Sequence, residues 1–356
     1  MEFPKLDVRT PVSHPRKLRT LLATVLAVTA LALAGCSSSA DDDTPASTPS
    51  ASADSAFPVT LTDKLGSATI TKKPERIVTI GWASQDVVAA LGTAPVGSTD
   101  FTWGTVDKYL PWFADRVKEI GGELPEIVTY AENDEVDAEQ VLALDPDLIL
   151  AVHSGITENE YAKLSEIAPT IAYKDAPWTS DWKELTTTIG AAMGQSAEAA
   201  KLVADTEKQI ATAAAAHPEF KGVTFTYGWT LADGATALDL YFPQDPRVQL
   251  MEQLGFVSSP QVVALSKEGS AFYGSVSLEK LDTVESQFHL AWANTPADVA
   301  KTVDNPLVKQ WAPIAKGSYY FMEDQAQAWA SSQPSVLSIP WQLDSLLPEL
   351  SSHLHP

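Results

Sequence analysis

The sequence predicts an α/β protein of two lobes joined by one long helix, set behind an exported N-terminus. Three observations carry this. Short β-branched runs alternate with helical stretches in both halves of the chain, the pattern of strands covered by helices. Between the halves lies residues 196–216, rich in Ala, Leu, Val, Lys, Glu and Gln, all tolerable or good helix formers. At 1.5 Å per residue that stretch spans roughly 31 Å, about the width of a small domain. The first 56 residues, finally, read as a leader and a polar tether rather than as part of a core.

The leader is residues 1–35. A basic stretch, His14-Pro15-Arg16-Lys17-Leu18-Arg19, precedes an apolar run over 21–34, the order of a secretory signal. The run is too short to cross a hydrocarbon core of ~30 Å comfortably. Leu33-Ala34-Gly35-Cys36 closes it, with small residues that admit a peptidase and a thiol that can take a diacylglycerol. Cys36 is the only cysteine in the chain, so it can form no internal disulfide and no thiolate cluster. An ordinary secretory signal with an incidental cysteine is the competing reading. Residues 36–56 are almost wholly Ser, Ala, Asp, Thr and Pro, with too little apolar surface to fold. The expectation is a lipoprotein on the extracytoplasmic face of a membrane, held through its lipid anchor.

Beyond the leader, about 300 residues suffice for two modest lobes. Residues 1–35 carry five of the 24 basic and two of the 46 acidic residues, which leaves a formal charge of about −25. Such a surface repels nucleic acid and anionic lipid. Only Arg76, Arg116 and Arg247 remain as arginines, against ten tryptophans. That balance suits a ligand held by flat apolar surfaces with few cationic contacts.

Along the N-terminal lobe, residues 57–194, Ile77-Val78-Thr79-Ile80 reads as a buried parallel strand and 83–91 as the helix after it. A loop through Gly92 to Gly97 enters a second strand. Helical spacing over 136–144 stops at Asp145-Pro146-Asp147, and 148–152 is another buried strand. A helix over 158–167 ends at Pro169, before a strand at 170–173. Residues 182–193 form one helix, and the linking helix occupies the segment 195–217, which His217-Pro218 terminates. In the C-terminal lobe, 218–356, strands are expected at 222–227, 287–292 and 318–321. Helices are expected at 246–254, 278–284, 306–311 and 341–350.

Six segments, in this order, are similar to the iron-siderophore branch of the ABC-transporter substrate-binding proteins, whose relatives include cobalamin-binding proteins. They are Arg76-Ile77-Val78-Thr79-Ile80-Gly81-Trp82, Leu91-Gly92-Thr93-Ala94-Pro95-Val96-Gly97, Leu144-Asp145-Pro146-Asp147-Leu148-Ile149-Leu150 and Leu164-Ser165-Glu166-Ile167-Ala168-Pro169-Thr170. The second half adds Asp245-Pro246-Arg247 ahead of Leu254-Gly255-Phe256, and Ser338-Ile339-Pro340-Trp341-Gln342-Leu343-Asp344. The resemblance covers residues 57–350. It implies a class III substrate-binding protein: two Rossmann-like α/β lobes, a rigid helical tie, slight closure, and a ligand cleft at the strand ends. It also implies a monomer that binds a ferric siderophore and hands it to an ABC permease, with iron present only inside the bound complex and no cofactor or catalysis.

On that plan Trp82, ending the first strand, and His153, ending the 148–152 strand, fall at the cleft. Trp103 falls in the loop after the second strand and Trp178 ahead of the helix at 182. The C-terminal lobe offers Trp229 and Trp292 at strand ends, Tyr241 and Arg247 around Asp245-Pro246, and Trp329 in the loop after the last strand. Each aromatic could instead be core, and His153 a structural histidine. Arg247 could donate to hydroxamate, carboxylate or catecholate oxygens, or pair within its own helix. Trp341 reads as core. The resemblance further implies a permease-docking carboxylate on each lobe, matched to Glu158 and Asp245, with Glu160 as substitute for Glu158.

Three arginines argue against a triply anionic catecholate, and the aromatic supply fits a neutral or weakly charged hydroxamate or mixed complex. A haem receptor could use His153 or Tyr241 as axial ligand, and cobalamin is a further alternative. Bare metal would need converging His, Asp and Glu ligands, whereas the folded core offers only His153, His217 and His289. An exported hydrolase finds no Gly-x-Ser-x-Gly elbow and no His-Glu-x-x-His helix.

Overall fold

The computed structural model describes residues 56–101, 108–130, 135–268 and 272–355. The expected leader, Cys36, all but the last residue of the tether, and Trp103 lie outside the described residues. An antiparallel hairpin, β1 (Val59–Thr62) and β2 (Ser67–Ile70), leads into the N-terminal lobe. The lobe then alternates: β3 (Ile77–Thr79), α1 (Ser84–Ala90), β4 (Gly97–Thr99), α2 (Pro111–Glu119), β5 (Glu126–Val128) and α3 (Ala138–Ala143). It continues through β6 (Leu148–Leu150), α4 (Glu158–Ile167), β7 (Thr170–Ile171) and α5 (Trp182–Ala192). The five strands β3 to β7 form one parallel sheet in the order β5-β4-β3-β6-β7. Its central strands β3, β4 and β6 are buried at every residue, which is why they read as unbroken runs rather than alternations.

The linking helix α6 spans Ser196–Ala216. It buries Ala199, Thr206 and Ile210. It crosses α5 closely: a Cβ on Gly190 would stand 2.2 Å from that of Ala199, so only glycine lets the two backbones approach this far.

The second lobe runs β8 (Thr224–Trp229), β9 (Ala237–Tyr241), α7 (Pro246–Gln253), β10 (Val257–Ser258), α8 (Pro260–Leu265) and β11 (Tyr273–Ser277). It continues with β12 (Phe288–Trp292), α9 (Pro296–Asp304), α10 (Ala312–Lys316), β13 (Tyr319–Met322), α11 (Gln325–Ser332) and α12 (Ser338–His353). Its sheet is mixed, in the order β11-β9-β8-β12-β13. Strand β10 pairs with the start of β8, while β9 and β11 run antiparallel. The expected helices at 278–284 and 306–311 are 3₁₀ turns over Leu278–Thr283 and Val308–Gln310. Strands β9 and β11 lay outside the sequence-based expectation. So did helix α11, where a loop was expected.

Helix α11 matters because it does not stay with its own lobe. Trp329 and Ala330 pack into a core cluster with Ala89, Phe101, Leu110, Trp112, Phe113 and Val117 of the first lobe. A buried polar latch fixes this crossing. The carboxylate of Asp86, on α1, accepts from Ser335 Oγ at 2.6 Å and from Trp112 Nε1 at 2.7 Å through one oxygen. Its other oxygen accepts from Gln85 Nε2 at 3.2 Å. Next to it Gln333 Oε1 accepts from the backbone N–H of Ala83 at 2.8 Å. A neutral hydrogen bond of this kind contributes roughly 0.5–1.5 kcal/mol, and one to the ionised carboxylate roughly 1.5–3 kcal/mol. The lobes are therefore tied twice, by α6 and by the turn between α11 and α12.

The latch leaves a signature in stability. Burial, opposed by the Ser335, Trp112 and Gln85 donors, pushes the Asp86 carboxyl from 3.8 up to about 7. The folded state thus holds a proton that the unfolded chain releases near 3.8, so stability falls as pH rises between about 4 and about 7. Asp86→Asn keeps an acceptor for Ser335 and Trp112 but removes the titration. Urea midpoints of the two proteins are expected to diverge across that window in favour of the variant. A gap independent of pH would show that Asp86 does not titrate there.

Candidate functional site

Strand ends and the turns after them build the site from both lobes. After β3, Gly81 adopts φ 82°, and a Cβ there would meet the His153 carbonyl oxygen at 2.3 Å. Glycine is required on both counts. The tight turn lets the Trp82 N–H donate to that same carbonyl at 2.9 Å, which places the half-buried Trp82 indole beside His153, ring centres 6.4 Å apart. His153 Nδ1 donates to the Ser180 carbonyl at 3.1 Å, leaving Nε2 with the lone pair. Burial, with Arg247 adding to it, lowers the imidazole pKa to about 4, so the ring is neutral at physiological pH.

Trp178 completes this half. It sits in the left-handed region at φ 60°, a conformation that costs a non-glycine residue of order 1 kcal/mol. Its ring lies 4.9 Å from that of Trp82 and 5.7 Å from that of His153. Gly155 makes room for it, since a Cβ there would stand 2.5 Å from Trp178 Nε1. Trp329 approaches from α11, edge-on to Trp82 at 5.3 Å and to Phe101 at 5.4 Å. It is buried on helix α11 and packs edge-on against Trp82, rather than standing in a loop as expected.

In the second lobe Trp229 and Trp292 are register partners on the parallel strands β8 and β12, and their rings stack at 5.9 Å with planes 19° apart. Tyr241, ending β9, lies 5.1 Å from Trp229 and accepts a 2.9 Å hydrogen bond from Trp292 Nε1. Tyr273 on β11, directly opposite Tyr241 in register, packs edge-on against Trp229 at 5.3 Å. Tyr273 was missed in the sequence, because the run Tyr273-Gly274-Ser275-Val276-Ser277 has no regular apolar alternation to mark it as a strand.

Arg247 joins the two halves. Its guanidinium carbon lies 4.1 Å from the Tyr241 ring centre and 6.0 Å from that of Trp82 in the other lobe. Of the two alternatives raised for this residue, the structure shows the pairing within its own helix start. It lies between the Tyr241 and Trp82 rings and pairs with Asp245, Nη1 donating to Oδ2 at 2.6 Å. Its Nε is buried with no hydrogen-bond partner among the described residues.

Asp245, Glu160 and Trp341 do not stand as expected. Asp245 is fully buried: it caps α7 by accepting from the Arg247 N–H at 2.9 Å and neutralises the Arg247 side chain. A carboxylate used this way offers nothing to a partner's surface. Glu160 cannot replace Glu158, because it accepts from the Thr157 N–H and Oγ1 in a capping box and from the Val136 N–H. Glu158 itself is exposed at the start of α4. Trp341, expected in the core, is half-buried against Trp112 at 5.0 Å. Among the described residues no group of three or more His, Cys, Asp or Glu side chains could hold a metal ion. Burial pushes the Tyr241 hydroxyl up to about 12, a poor starting point for an axial haem ligand, which must ionise.

Two α/β lobes tied by a long helix, facing each other through strand-end aromatics, define a class III periplasmic-binding-protein fold. The model of the periplasmic binding protein family matches residues 77–240 of the chain. It is 31% identical over 228 residues to a cobalamin-binding protein of Halobacterium salinarum, covering 63% of this chain and 57% of that one. It is 30% identical over 212 residues to the ferric enterobactin-binding periplasmic protein FepB of Escherichia coli O6:H1, covering 56% of this chain and 62% of that one. The chain thus matches less than two thirds of the length of these two relatives. Among solved structures, PiaA of Streptococcus pneumoniae TIGR4 in complex with ferrichrome superposes with a TM-score of 0.76 at 28% identity, over 83% of this chain and 98% of that one. All three are binding proteins, and none is a hydrolase.

The Trp178 placement is testable. Gly155→Ala is expected to push the indole away from Trp82, altering the near-ultraviolet circular dichroism and tryptophan emission while the far-ultraviolet spectrum stays unchanged. Unchanged aromatic spectra would refute the close packing at Gly155.

Proposed function

We propose that this chain is a lipid-anchored, monomeric receptor that binds a ferric siderophore of the neutral hydroxamate kind between its lobes and delivers it to an ABC permease. The observation that carries the reading is the cleft's chemistry. Aromatic faces from both lobes surround one guanidinium whose charge Asp245 already balances. Apolar surface and ring faces suit a bulky, flat-sided complex. The buried Arg247 Nε offers an unused donor to a ligand oxygen. The ferrichrome complex of PiaA supports the hydroxamate class, because ferrichrome is a ferric trihydroxamate. Cobalamin is the second reading, favoured by the Halobacterium relative. The exposed Glu158 serves as the docking carboxylate of the first lobe.

Titrating intrinsic tryptophan fluorescence with ferrichrome, ferric enterobactin, haem and cobalamin separates these readings. Saturable quenching by ferrichrome is expected, weakened about tenfold or more by Trp82→Ala, the equivalent of roughly 1.4 kcal/mol. Saturable quenching by cobalamin or haem with none by a ferric siderophore would sink the proposal. In cells, Cys36→Ser is expected to release the protein from the membrane fraction. Glu158→Ala should lower uptake with the solution affinity unchanged; normal membrane retention and normal uptake would remove the anchor and the docking role.

A further inference from the structure

The pair formed by Asp245 and Arg247 has a consequence for which ligand the cleft accepts. Arg247 is the only arginine among the C-terminal 240 residues' cleft-facing groups, standing between the Tyr241 and Trp82 rings. Among the described residues the only lysine over an aromatic ring is Lys183, over Trp182. Asp245 sits at the N-terminus of α7, fully buried, with Oδ2 on Nη1 at 2.6 Å. The half-buried Asp239, on β9, is the other carboxylate with an electrostatic influence on Tyr241. The cleft therefore presents a neutral pair with a carboxylate behind it, not a free cation. A charge entering it meets a dipole, whose field falls off faster than that of a lone guanidinium. A triply anionic complex would lose its hydration there without meeting a net opposite charge.

We infer that Asp245 is a specificity-determining residue: by neutralising Arg247 inside the cleft it selects ferric complexes of no net charge and rejects anionic ones. This deepens the ferric-siderophore reading and rests on it. Asp245 acts through Arg247 and is a positioning residue, not a ligand contact. In a ferric trihydroxamate three singly charged groups balance the metal, whereas three doubly charged catecholates leave a net charge of −3. The two complexes differ in the property that the pair is placed to sense.

The test compares affinities for ferrichrome and ferric enterobactin, by tryptophan quenching, in the wild type, Asp245→Asn and Asp245→Ser. Asn and Ser both retain an N-cap acceptor for the Arg247 N–H. The wild type should prefer ferrichrome. Each variant should shift the ratio of the two affinities toward ferric enterobactin by tenfold or more, and the gain should shrink as salt is raised. An unchanged ratio in a wild type and variants that all bind ferrichrome would overturn the inference and leave the siderophore reading intact. A wild type that binds neither complex would instead overturn that reading. If removing the carboxylate alone prevents folding, the doubly neutral Asp245→Asn/Arg247→Gln protein decides the matter. It should keep the wild-type ratio, and a selective loss of ferric enterobactin binding would show that Arg247 acts as a free cation.

Discussion

The Asp86 carboxylate holds the turn between α11 and α12 against α1, and the placement of Trp329 against Trp82 follows from that contact. Ser335 and Trp112 donate to the same oxygen, one from the C-terminal turn and the other from α2. Gln333 takes up the Ala83 N–H, which would otherwise be an orphan at the helix start. With the turn held there, α11 lays Trp329 edge-on to Trp82 and beside Phe101. A buried carboxylate is costly unless donors surround it. This one has three side-chain donors from three different elements or turns, so the cost is reduced only when α1, α2 and the C-terminal turn are all in place. The latch therefore specifies a single arrangement of the elements around it, and it adds a second tie to that of α6.

From this frame the two half-sites are presented with little freedom. On the first lobe, the backbone does the positioning. Gly81, Ala83 and Trp178 all adopt positive φ, and the close approach of Gly81 to His153 sets where Trp82 begins. On the second lobe, sheet register does it. Trp229 pairs with Trp292 across a parallel ladder, and Tyr241 pairs with Tyr273 across an antiparallel one. Strand ends in register put side chains of the same face together. The buried pair of Asp245 and Arg247 then sits where these two surfaces meet, a cation already balanced within a largely apolar setting.

Much of the architecture was legible from short-range pattern. Fully buried parallel strands such as 77–79 and 148–150 are continuous apolar or β-branched runs, and α6 is a long stretch of helix-forming residues bounded by Gly194 and Pro218. Strands β9 and β11 were not legible. They are antiparallel, partly exposed at alternate residues, and carry Asp239 and Ser275 on one face, so no apolar run marks them. Helix α11, Gln325–Ser332, lacks an apolar stripe because it is buried nearly all round, polar residues included. Its glutamines are accommodated by hydrogen bonds that only the folded chain supplies: Gln325 Nε2 donates to the Ala293 carbonyl, and Gln327 Oε1 accepts from the Tyr320 hydroxyl.

By itself the sequence determined which residue types stand at four of the strand ends: Trp82, His153, Trp229 and Trp292 are placed by local pattern, because a strand and the turn after it are local structures. Their convergence, and the roles of their polar neighbours, were decided by tertiary structure. Asp245 read as a surface carboxylate, yet its position in the fold buries it against Arg247. Asp86 carried no signal at all, since its partners Trp112 and Ser335 lie 26 and 249 residues away in the chain. Burial and long-range pairing are properties of the assembled core, and a carboxylate's chemistry depends on both.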